Sequence, residues 1–192
     1  MDEMKFREVE VPQGITVEIK GREVKATMGD KAVKKSFSRK EIDMAVGGGK
    51  VTVRAKKQGR KANAIVNAVA AQIGNMVKGL QYGYRYRMEI VYSHFPINVA
   101  VKEKIVEVSN LAGEKRPKKI TIVEGAKVQA KGKEIIITGA DKCAVGQTCA
   151  NIEQATTIRG RDRRIFQDGI YLVEAGFEKE PETKAAGGGK SG

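Results

Sequence analysis

"GITVEIKGREVKATMGDK", Gly14 to Lys31, aligns without a gap on "GAKVQAKGKEIIITGADK", Gly125 to Lys142. Gly14, Val17, Lys20, Gly21, Glu23, Thr27, Asp30 and Lys31 match Gly125, Val128, Lys131, Gly132, Glu134, Thr138, Asp141 and Lys142. Arg22 with Lys133 and Val24 with Ile135 are near matches, and upstream Val9 and Val11 fall on Ile120 and Ile122. The natural reading is a duplicated unit and two similar domains. Two copies are too few for a solenoid, which needs three to bury a continuous core.

Each copy reads as strand, turn, strand. "TVEIK" and "KVQAK" alternate, "GRE" or "GKE" turns the chain, and "VKAT" or "IIIT" returns. Beyond that the copies part. The first continues through "GDKAVKKSF", a hairpin with Val33 and Phe37 on a strand, and "GGGKVTVRAK", another strand. Its helix, "RKANAIVNAVAAQIGNMVKG", carries an apolar stripe of Ile65, Val69, Ile73, Met76 and Leu80, with Gly79 as a stop. The second enters its helix at once, with Val145, Cys149, Ile152 and Ala155 at helical spacing and Asp141 placed to cap the start. Between the copies, Tyr84, Tyr86, Met88, Ile90 and Tyr92 alternate with Arg85, Arg87, Glu89 and Val91, a strand with one packed face. "INVAV" and "IVEV", joined by "KEK", make a hairpin. The pattern predicts an α+β fold of two tandem duplicated domains, each a mostly antiparallel sheet packed on one or two helices. The boundary falls near Gln81, giving domains over 1–81 and 82–175, and 176–192 reads as a polar, Gly-rich loose tail.

Lys and Arg number 36 against 23 Asp and Glu in 192 residues, a formal charge of +13. Such an excess opposes compaction and favours a polyanionic partner. Hydrophobic residues at 41% allow a buried core. No apolar run approaches a membrane span and the N-terminal residues lack an apolar signal core, so the expectation is a cytosolic protein without a membrane partner. Cys143 and Cys149 do not make a disulfide framework and read as small core residues.

Enzymatic chemistry needs a site, and the sequence offers none. His94 is the one histidine, which excludes a His-based metal cluster, and the two cysteines have no nearby histidine partner for zinc. "GGGK" at Gly47 and at Gly187 lacks the spacing and flanking elements of a phosphate loop. Asp162 and Asp168 are explained by charge pairing and turn formation. The expectation is no catalysis, no metal and no cofactor.

The basic residues gather in three loops. "KKQGRK" contributes Lys56, Lys57, Arg60 and Lys61, and "GEKRPKK" contributes Lys115, Arg116, Lys118 and Lys119. "IRGRDRR" contributes Arg159, Arg161, Arg163 and Arg164. Arginine offers a planar fork of donors to phosphate oxygens and can stack on bases. Gly160 lets the backbone approach a partner closely. These twelve side chains are the candidate contacts to a nucleic-acid backbone. Loops presented from a rigid sheet suit folded RNA, which is recognised by shape, phosphate and 2′-hydroxyl contacts. The apolar stretch that follows the arginines, with Phe166, Ile170 and Leu172, reads as the anchor of that loop, turned by Asp168-Gly169.

The stretch "DKCAVGQTCANIEQATTIRGRDRRIFQDGIYLVE" from Asp141 closely resembles the C-terminal signature of the large-subunit ribosomal protein six family. Gln154, Ile158, Arg161, Arg164, Phe166, Asp168, Gly169, Ile170, Tyr171 and Leu172 fall on its positions, and Ala175 stands where the pattern has a basic residue. "VYSHFPINV" and "NMVKG" resemble the archaeal and eukaryotic branch, whose eukaryotic cytosolic member is called protein nine. The resemblance implies a tandem duplication of an antiparallel sheet with packed helices and no enzymatic activity. It implies a structural constituent of the large ribosomal subunit in the cytoplasm. Its partners would be large-subunit ribosomal RNA, bound chiefly by the second domain near the sarcin–ricin loop, and neighbouring large-subunit proteins. Translation factors would land close by. A general nucleic-acid or anionic-surface binder outside the ribosome is the alternative.

Overall fold

The structure, a computed structural model, describes residues 6–37, 42–57, 59–93, 95–158, 160, 162 and 164–179. The first half holds β1 (Phe6–Glu10), β2 (Thr16–Lys20), β3 (Glu23–Met28), β4 (Lys31–Ser36), β5 (Ile42–Gly47), β6 (Lys50–Ala55) and α1 (Arg60–Tyr82). The second holds β7 (Tyr84–Val91), β8 (Asn98–Lys102), β9 (Ile105–Ser109), β10 (Lys118–Thr121), β11 (Ala126–Lys131), β12 (Glu134–Gly139), α2 (Lys142–Thr156) and β13 (Gly169–Phe177). The sheets run β1-β6-β5 and β2-β3-β4 in the first half, β10-β9-β8 and β11-β12-β7-β13 in the second. Among the described residues every strand pairing is antiparallel. The α+β architecture expected from the sequence is present.

The repeated stretch is one hairpin built twice, β2-β3 and β11-β12. Lys20 pairs with Glu23 and Lys131 with Glu134, so each loop has two residues. Its first residue is Gly21 (φ 63°) or Gly132 (φ 59°), a backbone region that a side chain strains. That requirement explains why these glycines match.

The register carries the correspondence further and shows why the copies part after the hairpin. Val24 and Ala26 of β3 face Lys35 and Val33 of β4; their counterparts Ile135 and Ile137 of β12 face Met88 and Tyr86 of β7. In the same way Val9 faces Val51 of β6, and its counterpart Ile120 faces Val106 of β9. Thus β4, β5 and β6 correspond to β7, β8 and β9. In the first half these strands follow the repeated hairpin; in the second they precede it. The two halves share strand neighbours while their chain order is rotated.

Each half buries its own apolar cluster. One gathers members from Ile15 to Leu80, with Val24, Val51, Val53, Val66, Ile73 and Leu80 most enclosed. The other runs from Tyr84 to Ile170, with Met88, Val106, Val108, Ile135, Ile137, Val145 and Ile152 most enclosed. Burying each such side chain stabilises the fold by about 1.5–3 kcal/mol.

Several expectations need correction. In α1 the buried stripe is Ala62, Val66, Val69, Ala70, Ile73, Met76, Val77 and Leu80, while Ile65 is only half-buried. The helix also runs through Gly79 and ends at Gly83 (φ 69°), whose N–H donates to the Gly79 carbonyl. Gly79 is therefore no stop: a β-carbon there would overlap the Ala140 carbonyl and lie 2.7 Å from the Tyr84 ring. β13 continues to Phe177, one residue past the expected start of the tail, and the Phe177 ring lies 5.1 Å from that of Tyr84. Residues 180–192 of the expected tail lie outside the described residues. Cys149 is buried as read, but Cys143 is exposed at the start of α2.

Candidate nucleic-acid interface

The arginine loop closes between the last turn of α2 and the start of β13. Its foot is pinned by hydrogen bonds. The Thr156 hydroxyl, buried, donates to the Ile152 carbonyl (2.9 Å) and accepts the Ile170 N–H (3.3 Å). The Thr157 hydroxyl donates to the Glu153 carbonyl (2.8 Å). The buried carboxylate of Asp168 accepts the Ser93 N–H at 2.8 Å, which ties the foot to the chain leaving β7. Asp168 thus anchors the foot of the loop, a role that no local sequence signal marks.

Within the loop, Asp162 organises a tight turn. Its carboxylate accepts the Arg164 N–H (3.0 Å), and its carbonyl accepts the N–H groups of Ile165 (3.1 Å) and Phe166 (2.9 Å). Gly160 has φ 75°, so the glycine is needed for the bend itself. Arg164 stands exposed on this turn. Arg159, Arg161 and Arg163 lie outside the described residues, as does His94.

The apolar anchor differs from the expectation. Ile170 is fully buried and Phe166 is half-buried, but Leu172 is 39% exposed. Among the described residues β13 is the edge of its sheet, with a neighbour on one side only, and its register slips between Leu172 and Glu174. Ile165 is 67% exposed beside Arg164, and Tyr171 and Val173 are exposed further along. The sequence reading missed this solvent-facing apolar strip because an apolar run resembles a core strand.

The second basic segment lies next to the first. Lys115 and Arg116 are exposed, Lys119 is exposed on β10, and Lys118 is half-buried with its ammonium 3.5 Å from Glu114. A cleft of about 430 Å³ is lined by Ala112, Glu114 and Lys118 on one wall and by Gln154, Ala155, Thr157 and Ile158 on the other. The fold thereby sets the Lys115–Lys119 segment against the foot of the arginine loop, although the two are far apart in sequence.

The third segment stands apart. Lys57, Arg60 and Lys61 are exposed, and Lys56 pairs with Asp43 at 2.9 Å. All four surround the start of α1, where Gly59 offers no side-chain cap and the first turn holds no acid. Cations at a helix N-terminus oppose its dipole, by about 0.3–1 kcal/mol each, and an anion there would reverse the penalty. Gly79 lies 19 residues beyond Arg60 along the helix, or roughly 28 Å at 1.5 Å per residue. Since Gly79 abuts Ala140, just before α2, the segment stands a helix length from where the halves meet.

The groups with the largest shifts in acidity lie in the core rather than in this interface. Burial foremost, with the neighbouring Glu153 adding, pushes the Cys149 thiol up to about 11. Burial, followed by Tyr86, Asp141 and Cys143, pushes the Tyr84 phenol up to about 12. Among the described residues no group of His, Cys, Asp and Glu could hold a metal ion, and no helix is long and apolar enough to cross a membrane.

Residues 95–169 match the family described as Ribosomal protein L6. The large ribosomal subunit protein uL6 of Methanosphaera stadtmanae is 44% identical over 86% of this chain and 91% of its own length. That of Methanothrix thermoacetophila is 44% identical over 91% of this chain and 99% of its own. That of Thermoplasma acidophilum is 41% identical over 88% and 96%. The duplicated sheets and the long, near end-to-end similarity agree: the chain belongs to the ribosomal protein L6 family, whose members are structural rather than enzymatic.

Proposed function

We propose that this chain is a structural component of the large ribosomal subunit in the cytoplasm, where it holds ribosomal RNA and packs among neighbouring subunit proteins. The second half supplies the principal clamp, from Arg159, Arg161, Arg163 and Arg164 together with Lys115, Arg116, Lys118 and Lys119. The observation that carries this reading is the cleft that sets Lys118 beside Thr157 and Ile158 at the foot of the arginine loop. The Lys118 segment and the foot of the arginine loop face each other across this cleft, on a base fixed by hydrogen bonds. A pre-ordered base spares the loop part of the entropy cost of binding. Lys56, Lys57, Arg60 and Lys61 form a second contact, a helix length from the halves' junction. The clamped RNA lies close to the sarcin–ricin loop and to the surface on which translation factors land, as the family resemblance implies.

The test is a titration of large-subunit RNA at several salt concentrations, against competitor duplex DNA. Neutralising Arg161 and Arg164 together should weaken binding and flatten the log–log salt slope by roughly 0.7–0.9 unit for each phosphate left without its cation. An unchanged affinity and slope would refute the clamp. Equal affinity for duplex DNA would favour a general nucleic-acid binder. Footprinting of reconstituted subunits that leaves the sarcin–ricin region unprotected would remove the finer placement alone.

A further inference from the structure

The rotated correspondence of the two halves leaves one strand edge different. In the second half, β7 lies between β12 and β13. Among the described residues its counterpart β4 pairs with β3 only, and no backbone hydrogen bond reaches its other edge. A groove of about 790 Å³ runs along that edge, lined by Lys31, Ala32, Val33 and Lys34; its far wall mixes Lys127 with Glu124, Asp141 and Glu178, so Lys34 stands on the basic side of the groove. The second half therefore displays, in β13, what completes such an edge.

The same comparison gives the chemistry of what would fit. On β7, Arg87 faces Ile136 on one side and Glu174 of β13 on the other. Its guanidinium pairs with Glu174 at 3.1 Å and with Glu134 at 3.0 Å. On β4 the corresponding residue is Lys34, which faces Lys25. Like charges directly opposite on neighbouring strands are destabilising. Among the described residues no ion pair involves Lys34, and none occupies the position corresponding to Glu174. From this juxtaposition we infer that β4 accepts an added strand from another protein, with an acidic side chain opposite Lys34. Main-chain hydrogen bonds supply the affinity and the carboxylate supplies the selectivity. Lysines along an open edge otherwise discourage indiscriminate pairing, so the acid is the feature that distinguishes the right partner.

The edge is tested on the full chain in solution and does not depend on the RNA reading. The probe is the peptide acetyl-Thr-Glu-Val-Glu-Val-Thr-amide, titrated into isotope-labelled protein by NMR. Shifts and slowed amide exchange should concentrate in Lys31–Ser36, and the same peptide with Lys for Glu should bind at least about fivefold more weakly. K34E should fold normally, because it relieves the clash with Lys25, and should lose the preference for the acidic peptide. Perturbation that spares β4, or an affinity indifferent to the peptide's charge, would overturn the inference. The occupant is tested by placing photoreactive benzoylphenylalanine at position 32 and irradiating large subunits that contain the variant. A cross-link to an acidic extended segment of a neighbouring protein supports the inference. A cross-link to RNA, one to residues 180–192 of this chain, or none overturns it. Failure of the chain to enter subunits would count against the proposed function and leave the peptide result to decide this one.

Discussion

Gly79 of α1 and Ala140, the residue before the α2 cap, meet so closely that a β-carbon on Gly79 would overlap the Ala140 carbonyl. This contact joins elements of opposite halves, since Ala140 also packs against the first cluster. Gly79→Ala should therefore destabilise the protein by roughly 1–3 kcal/mol through overpacking, read by urea or thermal unfolding. Gly74→Ala is the control. Its β-carbon would meet only Val9, at 3.9 Å, so helix propensity should raise stability by roughly 0.5–1 kcal/mol. If both variants shifted stability in the same direction, close approach would not be the reason for Gly79.

The burial order along the anchor gives a second expectation. Ile170→Ala empties a fully enclosed position and should cost roughly 2–5 kcal/mol, whereas Leu172→Ala, at the exposed edge, should cost less than about 1 kcal/mol. Phe166→Ala should fall between them in unfolding experiments. Equal losses for Ile170 and Leu172 would show that the edge of β13 is covered in solution.

Much of this was legible because side-chain periods and turn chemistry are local. The repeated hairpin, both helices and the Asp141 cap, which accepts the Cys143 N–H at 2.9 Å, follow from such signals. No local signal marks β5, and β1 and β10 show only through the match of Val9 to Ile120. Strands this short form because Val51 or Val106 lies opposite, which is a tertiary fact. The rotated strand order was hidden for the same reason: only the hairpin keeps its sequence, while Val33 corresponds to Tyr86 and Lys34 to Arg87 through register alone. The basic segments were visible as composition, but only folding sets Lys118 beside Ile158. Asp168 looked like a turn former because burial cannot be read from two residues.

The thiols should differ in reactivity. Cys143 is exposed, and Cys149 is enclosed with its thiol pushed up to about 11. A disulfide reagent near neutral pH should modify one thiol readily and the second only on unfolding. The sign of the stability effect follows. Cys149 and Tyr84 are acids whose folded-state pKa is raised by burial, so the contribution of each is complete below its ordinary value, 9.0 and 10.0. Stability should fall as pH rises from about 9 towards 12, and Cys149→Ala should remove the lower part of that decline.

We propose the boundary near Gln81 as a real division. A fragment from Tyr82 to Lys179 should fold alone, since it retains Phe177 on Tyr84 and the Lys179 N–H on the Tyr82 carbonyl. Ending it at Gly176 should weaken it, because the Phe177 ring is then missing. A collapsed, poorly dispersed NMR spectrum for the longer fragment would place the boundary elsewhere.

Asp168 separates charge from positioning in RNA binding. Its buried carboxylate accepts the Ser93 N–H and holds the foot of the arginine loop. Asp168→Ala leaves that N–H unpaired, which should cost roughly 1–3 kcal/mol of stability. It also removes a negative charge beside a cationic loop, so electrostatics alone predict tighter binding to RNA. Positioning predicts the reverse: a loosened loop pays more ordering entropy on binding, and affinity falls. Asp168→Asn removes the same charge but keeps an acceptor oxygen, so stability should hold and affinity should match or slightly exceed that of the parent. The measurement is an RNA titration of both variants with unfolding curves alongside, at a temperature where both are folded. Weaker binding by the alanine variant alone supports a loop held in place by Asp168. Tighter binding by both would mean that Asp168 acts on RNA only through its charge.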